Sequence, residues 1–310
     1  MLVALCAVIF GLGFITAIAT SSTARLKSPL ERVVTRTLLS KPPGSSPGSV
    51  KDGASRTERV IQIDDRDLMT KAQCEALPYG DWRRQAYDNI QSILLAEGHG
   101  AQNFPCIYAT AGFKQNQHRF LFMHSADPEQ PSNIRLIANA LRAYYPLSHS
   151  LGQNTSLLLV HPPSADCSSV EEYRHKFWAV LRSLRLCDLE AWPKDIPTKT
   201  DASEWTFCFD GVPWFLAALT PAHKQRQSRR AENFTIAVQP KWVFNKLFKT
   251  PETRERAVQA VRKLMPAYDQ IEISPDLAAY GSKGSTEAHQ YYLLDENETA
   301  HCPFGDLDLK

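Results

Sequence analysis

In the stretch TPAHKQRQSRR, residues 220 to 230, one histidine heads four cationic side chains within eleven positions. An imidazole can ligate a metal, and guanidinium groups pair bidentately with carboxylates. Thr220 is a helix-capping type and Pro221 suits a first helical position, so the spacing predicts a helix starting here with His223 in its first turn. The positive end of that helix would favour the neutral imidazole that a metal requires. His223, Arg226 and Arg230 then share one face at i, i+3 and i+7, with the farther guanidinium ~10 Å along the axis. The competing reading of such a run is a solvated basic face. A formal net charge of +2 and a pI near 8.1 make no global case for a nucleic-acid partner, so any attraction must be local.

Other motifs narrow the field by their absence. The chain has no GxxxxGK[ST], no GxGxxG after a strand, no GxSxG and no HExxH. Its seven cysteines, Cys6, Cys74, Cys106, Cys167, Cys187, Cys208 and Cys302, include no CxxC pair, which disfavours a zinc module and a disulfide-stapled secreted fold.

Three regions follow one another along the 310 residues. Residues 2 to 20, LVALCAVIFGLGFITAIAT, carry no charge; as a helix they would cover roughly 28 Å, enough for a bilayer. Arg25, Lys27, Arg32 and Arg36 follow, so the positive-inside tendency predicts a membrane anchor with a cytoplasmic body. The alternative is a cleaved signal peptide, for which Ala17-Ile18-Ala19 and the sequons at Asn154, Asn233 and Asn297 speak. Residues 21 to 59 are rich in Ser, Pro and Gly and read as a flexible tether. Residues 60 to 310 alternate helical and extended signals.

In this third region, 81 to 95, 133 to 145, 169 to 186 and 252 to 264 have helical apolar periods, the third opening on a Ser cap. FPCIYATAGF (104 to 113), RFLFMHS, SLLLVHP, EWTFCF, PWFLAAL and NFTIAVQP read as extended segments, with a turn at Asp210-Gly211. The sum is an α+β (mixed α/β) single globular domain with a largely antiparallel sheet and flanking helices, preceded by an N-terminal hydrophobic helix.

The strings FPCIYATAGF, EEYRHKFWAVLRSL, EAWPKDIPTKTDASEWTFCFDGVPWFLAALTPAHKQRQSR, FTIAVQPKWVFNKL, YDQIEISPDLAAYG and CPFGD, in this order, resemble the YqcI/YcgG family over roughly residues 78 to 305. The resemblance implies haem b chemistry: characterised relatives are haem-dependent N-hydroxylases of guanidino compounds such as L-arginine. It thus implies a monooxygenase of specialised metabolism that takes a guanidino or amino substrate, O2 and electrons from a donor protein.

A haem enzyme needs an axial ligand, cations for the propionates and an apolar sheath. On that expectation His223 is the metal ligand and Arg226, Arg229 and Arg230 hold propionates. Cys106 and Cys302 compete as thiolate ligands, against plain packing for the first and a C-terminal turn for the second. A guanidinium substrate asks for a carboxylate, and Asp210, Asp276 and Glu204 are candidates, with Trp205, Phe207, Trp214 and Trp242 as aromatic neighbours. For Asp210 the competing reading is a tight turn, for the aromatics core packing. Two other classes stay open: a non-catalytic haem or anion-binding module, and a membrane-anchored interaction protein.

Overall fold

Backbone chemistry begins with the caps. The computed structural model describes residues 67–97, 102–165, 169–278, 285–305 and 307. The Asp81 carboxylate accepts the Arg83 N–H at 2.9 Å and starts α2 (Trp82–Leu95), just after the short α1 (Lys71–Glu75). Ser169 and Glu172 form a reciprocal capping box at the start of α5 (Val170–Cys187), so the Ser cap read in the sequence is the cap observed. The other helices are α3 (Ile107–Lys114), α4 (Pro131–Leu151), α6 (Trp242–Leu247), α7 (Pro251–Tyr268), α8 (Pro275–Ala278) and α9 (Ala288–Tyr291).

Five strands, β1 (Arg119–Phe122), β2 (Leu157–Val160), β3 (Phe207–Phe209), β4 (Val212–Leu219) and β5 (Thr235–Pro240), make one sheet in the order β1-β2-β5-β4-β3. β1 and β2 are parallel with Leu121 opposite Leu159, and α4 is the crossover between them. The remaining pairs are antiparallel, so the sheet is mixed. The β3–β4 hairpin closes on Asp210 and Gly211, both with positive φ (55° and 70°), as a two-residue Asp-Gly loop requires.

Alternation along the strands divides the apolar side chains between two faces. Leu121, Leu157, Leu159, Ile236, Val238, Trp214, Leu216 and Ala218 point to one side, where α4 and α5 bury Ile137, Leu141, Phe177, Trp178 and Leu181 against them. Phe120, Phe122, Leu158 and Val160 point to the other, packed against Tyr87, Ile90 and Leu94 of α2 and Phe113 of α3. On this second face β4 and β5 present Phe215, Ala217, Leu219, Ala237 and Gln239, and between these and α7 lies a cavity instead of closed packing.

Three expectations are corrected. FPCIYATAGF is not a strand: it contains α3, because an apolar run of that length has no decisive period and contacts with α2 and β1 decide it. The helix expected over 220 to 230 does not form; the segment leaves β4, loops and returns to bridge Thr220 with Arg230, holding only a 3-10 turn at Gln227–Arg229. The membrane-anchored localisation is not upheld: among the described residues no helix is long and apolar enough to cross a membrane. Residues 1 to 20 and the tether at 21 to 59 lie outside the described residues. The sequons lend the secretory alternative little, because Asn154 and Asn233 are buried.

Candidate active site

The cavity has a volume of about 270 Å3, close to the lower end of the roughly 300–1,000 Å3 usual for small-molecule sites. The sheet floor is made of small or flat residues: Ala217 and Ala237 are cross-strand partners, flanked by Phe215 and Leu219. Phe244 and Leu247 of α6, Phe248 at its C-terminal cap, and Val258, Val261 and Met265 of α7 form the cover. Phe104, Cys106 and Tyr108 close one side, and Arg229, Arg262 and Gln290 supply polar groups. A wider hollow of about 1180 Å3 runs along the outer edge of β1, between Met69, Trp82 and His124, and contains none of the candidate residues.

Cys106 occupies the N-cap position of α3, a helix held to α2 by the Thr110 hydroxyl donating to the Leu94 carbonyl at 3.1 Å. Burial pushes the Cys106 thiol pKa up, while N–H groups of Ala109 and Tyr108 and the charge of Arg229 oppose that rise. On balance burial favours the neutral thiol, and the helix start and the Arg229 charge only offset part of that effect.

His223 is elsewhere and fully engaged. It is completely buried; its Nε2–H donates to the Leu293 carbonyl at 2.8 Å, which fixes Nδ1 as the acceptor of the Thr220 hydroxyl at 2.8 Å. Burial lowers its pKa to about 4, so it is the neutral imidazole that was expected, but both ring nitrogens are in use. As placed, it offers iron no lone pair.

The loop's arginines hold the chain together. Arg226, fully buried, donates to the Leu294 carbonyl (2.8 Å) and Asn297 Oδ1 (2.8 Å) and lies 4.0 Å from Asp269. Arg230 donates to the carbonyls of His223 (2.7 Å) and Pro221 (3.1 Å). The Asp295 carboxylate accepts the N–H groups of Lys224 (2.6 Å) and Arg226 (2.9 Å), bonds that replace those of the expected helix. Of the four candidates in this stretch, only Arg229 reaches the cavity.

Cys302 lies away from the cavity in a C-terminal turn, its thiol pKa pushed up by burial against N–H groups of Phe304 and Gly305. Asp210 sits in the hairpin and accepts Arg142 Nε at 2.9 Å. Asp276 accepts the Thr299 hydroxyl at 3.1 Å and lies 3.5 Å from His289; its second oxygen is buried without a partner. It adjoins Leu277 of the cavity wall but does not line the cavity. Glu204 is exposed. Trp205, Phe207 and Trp214 belong to the core on the opposite face, and Trp242 stacks on His149 at 4.7 Å.

The sequence reading missed Phe215, Phe244, Phe248 and Gln290. A signal existed for the first: β4 is apolar on both alternating faces, which marks a strand covered twice. Gln290 carries none, since its position depends on a short helix near the C-terminus.

The family model described as the YqcI/YcgG family matches residues 91–305, a span that includes Cys106, the sheet and the whole cavity cover. The chain is 35% identical over 234 residues to "Uncharacterized protein YqcI" of Bacillus subtilis (strain 168), covering 74% of this chain and 89% of that one. It is 36% identical over 237 residues to "Uncharacterized protein YcgG" of the same organism, covering 75% and 91%. It is also 30% identical over 231 residues, 72% of this chain and 84% of the other, to the Streptomyces lavendulae protein named "Putative N(omega)-hydroxy-L-arginine synthase DcsA". No solved structure matches the chain. Matched by the family model over more than half its length and by these relatives over nearly three quarters, the chain belongs to the YqcI/YcgG family.

Proposed function

We propose that this protein is a haem-dependent monooxygenase that hydroxylates a nitrogen of a guanidino or amino compound. The observation that carries the reading is the cavity with Cys106 on its wall. Haem b suits its donor set: one protein ligand for the iron, apolar walls for the ring, and cations for the propionates. A bare iron would need several ligands, and among the described residues no three His, Cys, Asp or Glu converge. Cys106 would hold the iron in place of His223, and Arg229 and Arg262 would face the propionates. The relative named for N(omega)-hydroxy-L-arginine synthesis supports the reaction class.

When bound, haem supplies O2 activation, and a thiolate ligand favours O–O cleavage. The overall change is balanced as R–NH2 plus O2, two electrons and two protons giving R–NHOH and water, so an electron donor is required. The chain's own residues do the rest. Burial favours the neutral thiol of Cys106, and N–H groups at the start of α3 with the Arg229 charge oppose this in part, so the anionic sulfur would depend on the iron it binds. Phe104, Phe215, Phe244, Phe248 and Met265 exclude water from the reacting volume. Asp276 is one residue from the wall but does not line the cavity, so the cationic end of a substrate would lie against the aromatic walls of Phe215, Phe244 and Phe248.

A second reading, a non-catalytic module that binds an anion, draws on one observation: the described lining residues include arginines but no Asp or Glu. The full-length chain, produced with haem precursor, tests both. A Soret band that Cys106→Ser shifts or abolishes and His223→Ala leaves in place is the expected result, together with N-hydroxylation of a guanidine given O2 and a reductant. A folded but colourless protein overturns the haem reading. A haem protein with no turnover of guanidines or amines leaves the module.

A further inference from the structure

The cavity is not uniform. Its polar lining includes the donors Arg229, Arg262 and Gln290. Gln290, on α9 and only 4% exposed, has a buried Nε2 with no partner among the described residues. Leaving such an amide unsatisfied costs about 1–3 kcal/mol. Arg229, 9% exposed, donates to the main-chain carbonyls of Gln290 at 2.8 Å and Tyr291 at 3.4 Å, so its guanidinium is held to the backbone of the residue that carries the unpartnered amide, and both residues line the cavity. No carboxylate stands at ion-pair distance from it among the described residues; the charge of Arg226 lies close behind, opposed by that of Asp269 farther off. Arg262, donating to the Leu277 carbonyl at 2.7 Å, brings a second cation to the same wall.

The neighbouring acids do not fill this demand. Asp269 accepts the Ser228 N–H (2.7 Å) and hydroxyl (2.8 Å). Asp276 is turned to Thr299 and His289. A carboxylate is the group that offers two acceptor-only oxygens to such a cluster, and bidentate pairing with a guanidinium is its best geometry. The apolar remainder of the cavity selects a body that is itself largely apolar or planar.

We propose that Arg229 and the Nε2 of Gln290 form a carboxylate-binding corner, which seats a carboxylate of the cavity's occupant. The carboxylate has two possible sources, a haem propionate or the α-carboxylate of an amino-acid substrate. The corner builds on the reading of the cavity as a ligand site, yet it does not require that ligand to be haem.

Binding to the full-length chain is measured by calorimetry with two pairs of probes: haem against haem dimethyl ester, and L-arginine against agmatine, its counterpart lacking the carboxylate. Gln290→Met keeps the volume and removes the donor; because Nε2 has no protein partner, the melting temperature should hold. The expected result is an approximately tenfold weaker binding of the carboxylate-bearing member of one pair, with its partner unchanged; the affected pair identifies the source. Arg229→Lys should weaken the same member further. Equal affinity of acid and neutral partner in the parent chain, binding of none of the four probes, or indifference of all four to Gln290→Met overturns the corner. A haem protein with a normal Soret band and no sensitivity at Gln290 rejects the corner alone. A colourless protein that prefers L-arginine through Gln290 keeps the corner and rejects haem.

Discussion

At the scale of single residues, the buried histidines make a prediction that needs no ligand. His118, His161 and His223 are all held neutral, burial lowering each pKa to about 4. The unfolded chain takes up protons on these rings near pH 6.5 and the folded chain near pH 4, so stability is full above about pH 6.5 and falls between 6.5 and 4. Each ring contributes on the order of 3 kcal/mol over that window. Urea midpoints measured from pH 7 to pH 4 should fall steeply, and His223→Gln should flatten the profile; a flat parent profile rejects the assignment. His223→Ala leaves the Leu293 carbonyl and Thr220 hydroxyl without their partner and should cost roughly 3 kcal/mol in urea unfolding. The types at 220 to 230 were legible as an imidazole with cations. Their roles were not, because the partners that claim them, Leu293, Leu294, Asp295 and Asn297, lie about seventy positions away.

Among elements, α3 carries the most consequence for the site. It lies so close to the β2 approach that a Cβ at Gly112 would meet the Asn154 carbonyl oxygen at 2.1 Å and His118 Cε1 at 2.6 Å. Gly112→Ala should therefore cost at least about 2 kcal/mol and displace Cys106, read as a lower urea midpoint and altered thiol reactivity. The floor gives the opposite expectation. Ala217→Phe projects into open volume, so it should keep stability within about 1 kcal/mol while abolishing ligand uptake, measured by unfolding and by titration. Four helices and the turn at Asp210-Gly211 were readable from caps and periods, since those signals are local. α3 was not: FPCIYATAGF has the composition of either state, and its neighbours choose.

For the molecule as a whole, the central distinction is between the two faces of one sheet. The α4–α5 side is closed by Trp178, Trp205 and Trp214, all buried. The α6–α7 side is open at its centre. An occupant that binds only the folded chain adds about 2.7 kcal/mol at a hundredfold excess over its dissociation constant. Thermal unfolding with and without haem should register this as a rise of several degrees; no rise with bound haem would mean that the unfolded chain binds it equally. The mixed α and β character was legible from the succession of periods, and the parallel β1–β2 pair was not, since pairing partners are set by the α4 crossover and not by either strand's composition.

The cover over the cavity also sets a clock. Of the eighteen residues of α7 only Ala257 and Met265 are buried, so little apolar burial holds this helix in place. Local opening of such an element requires far less free energy than global unfolding. Entry and escape should then keep time with α7, and an occupant should slow it. Trypsin cleavage after Arg254 and Arg256 would be retarded in the loaded protein while cleavage in α5 stays unchanged, making residence time a property of one helix.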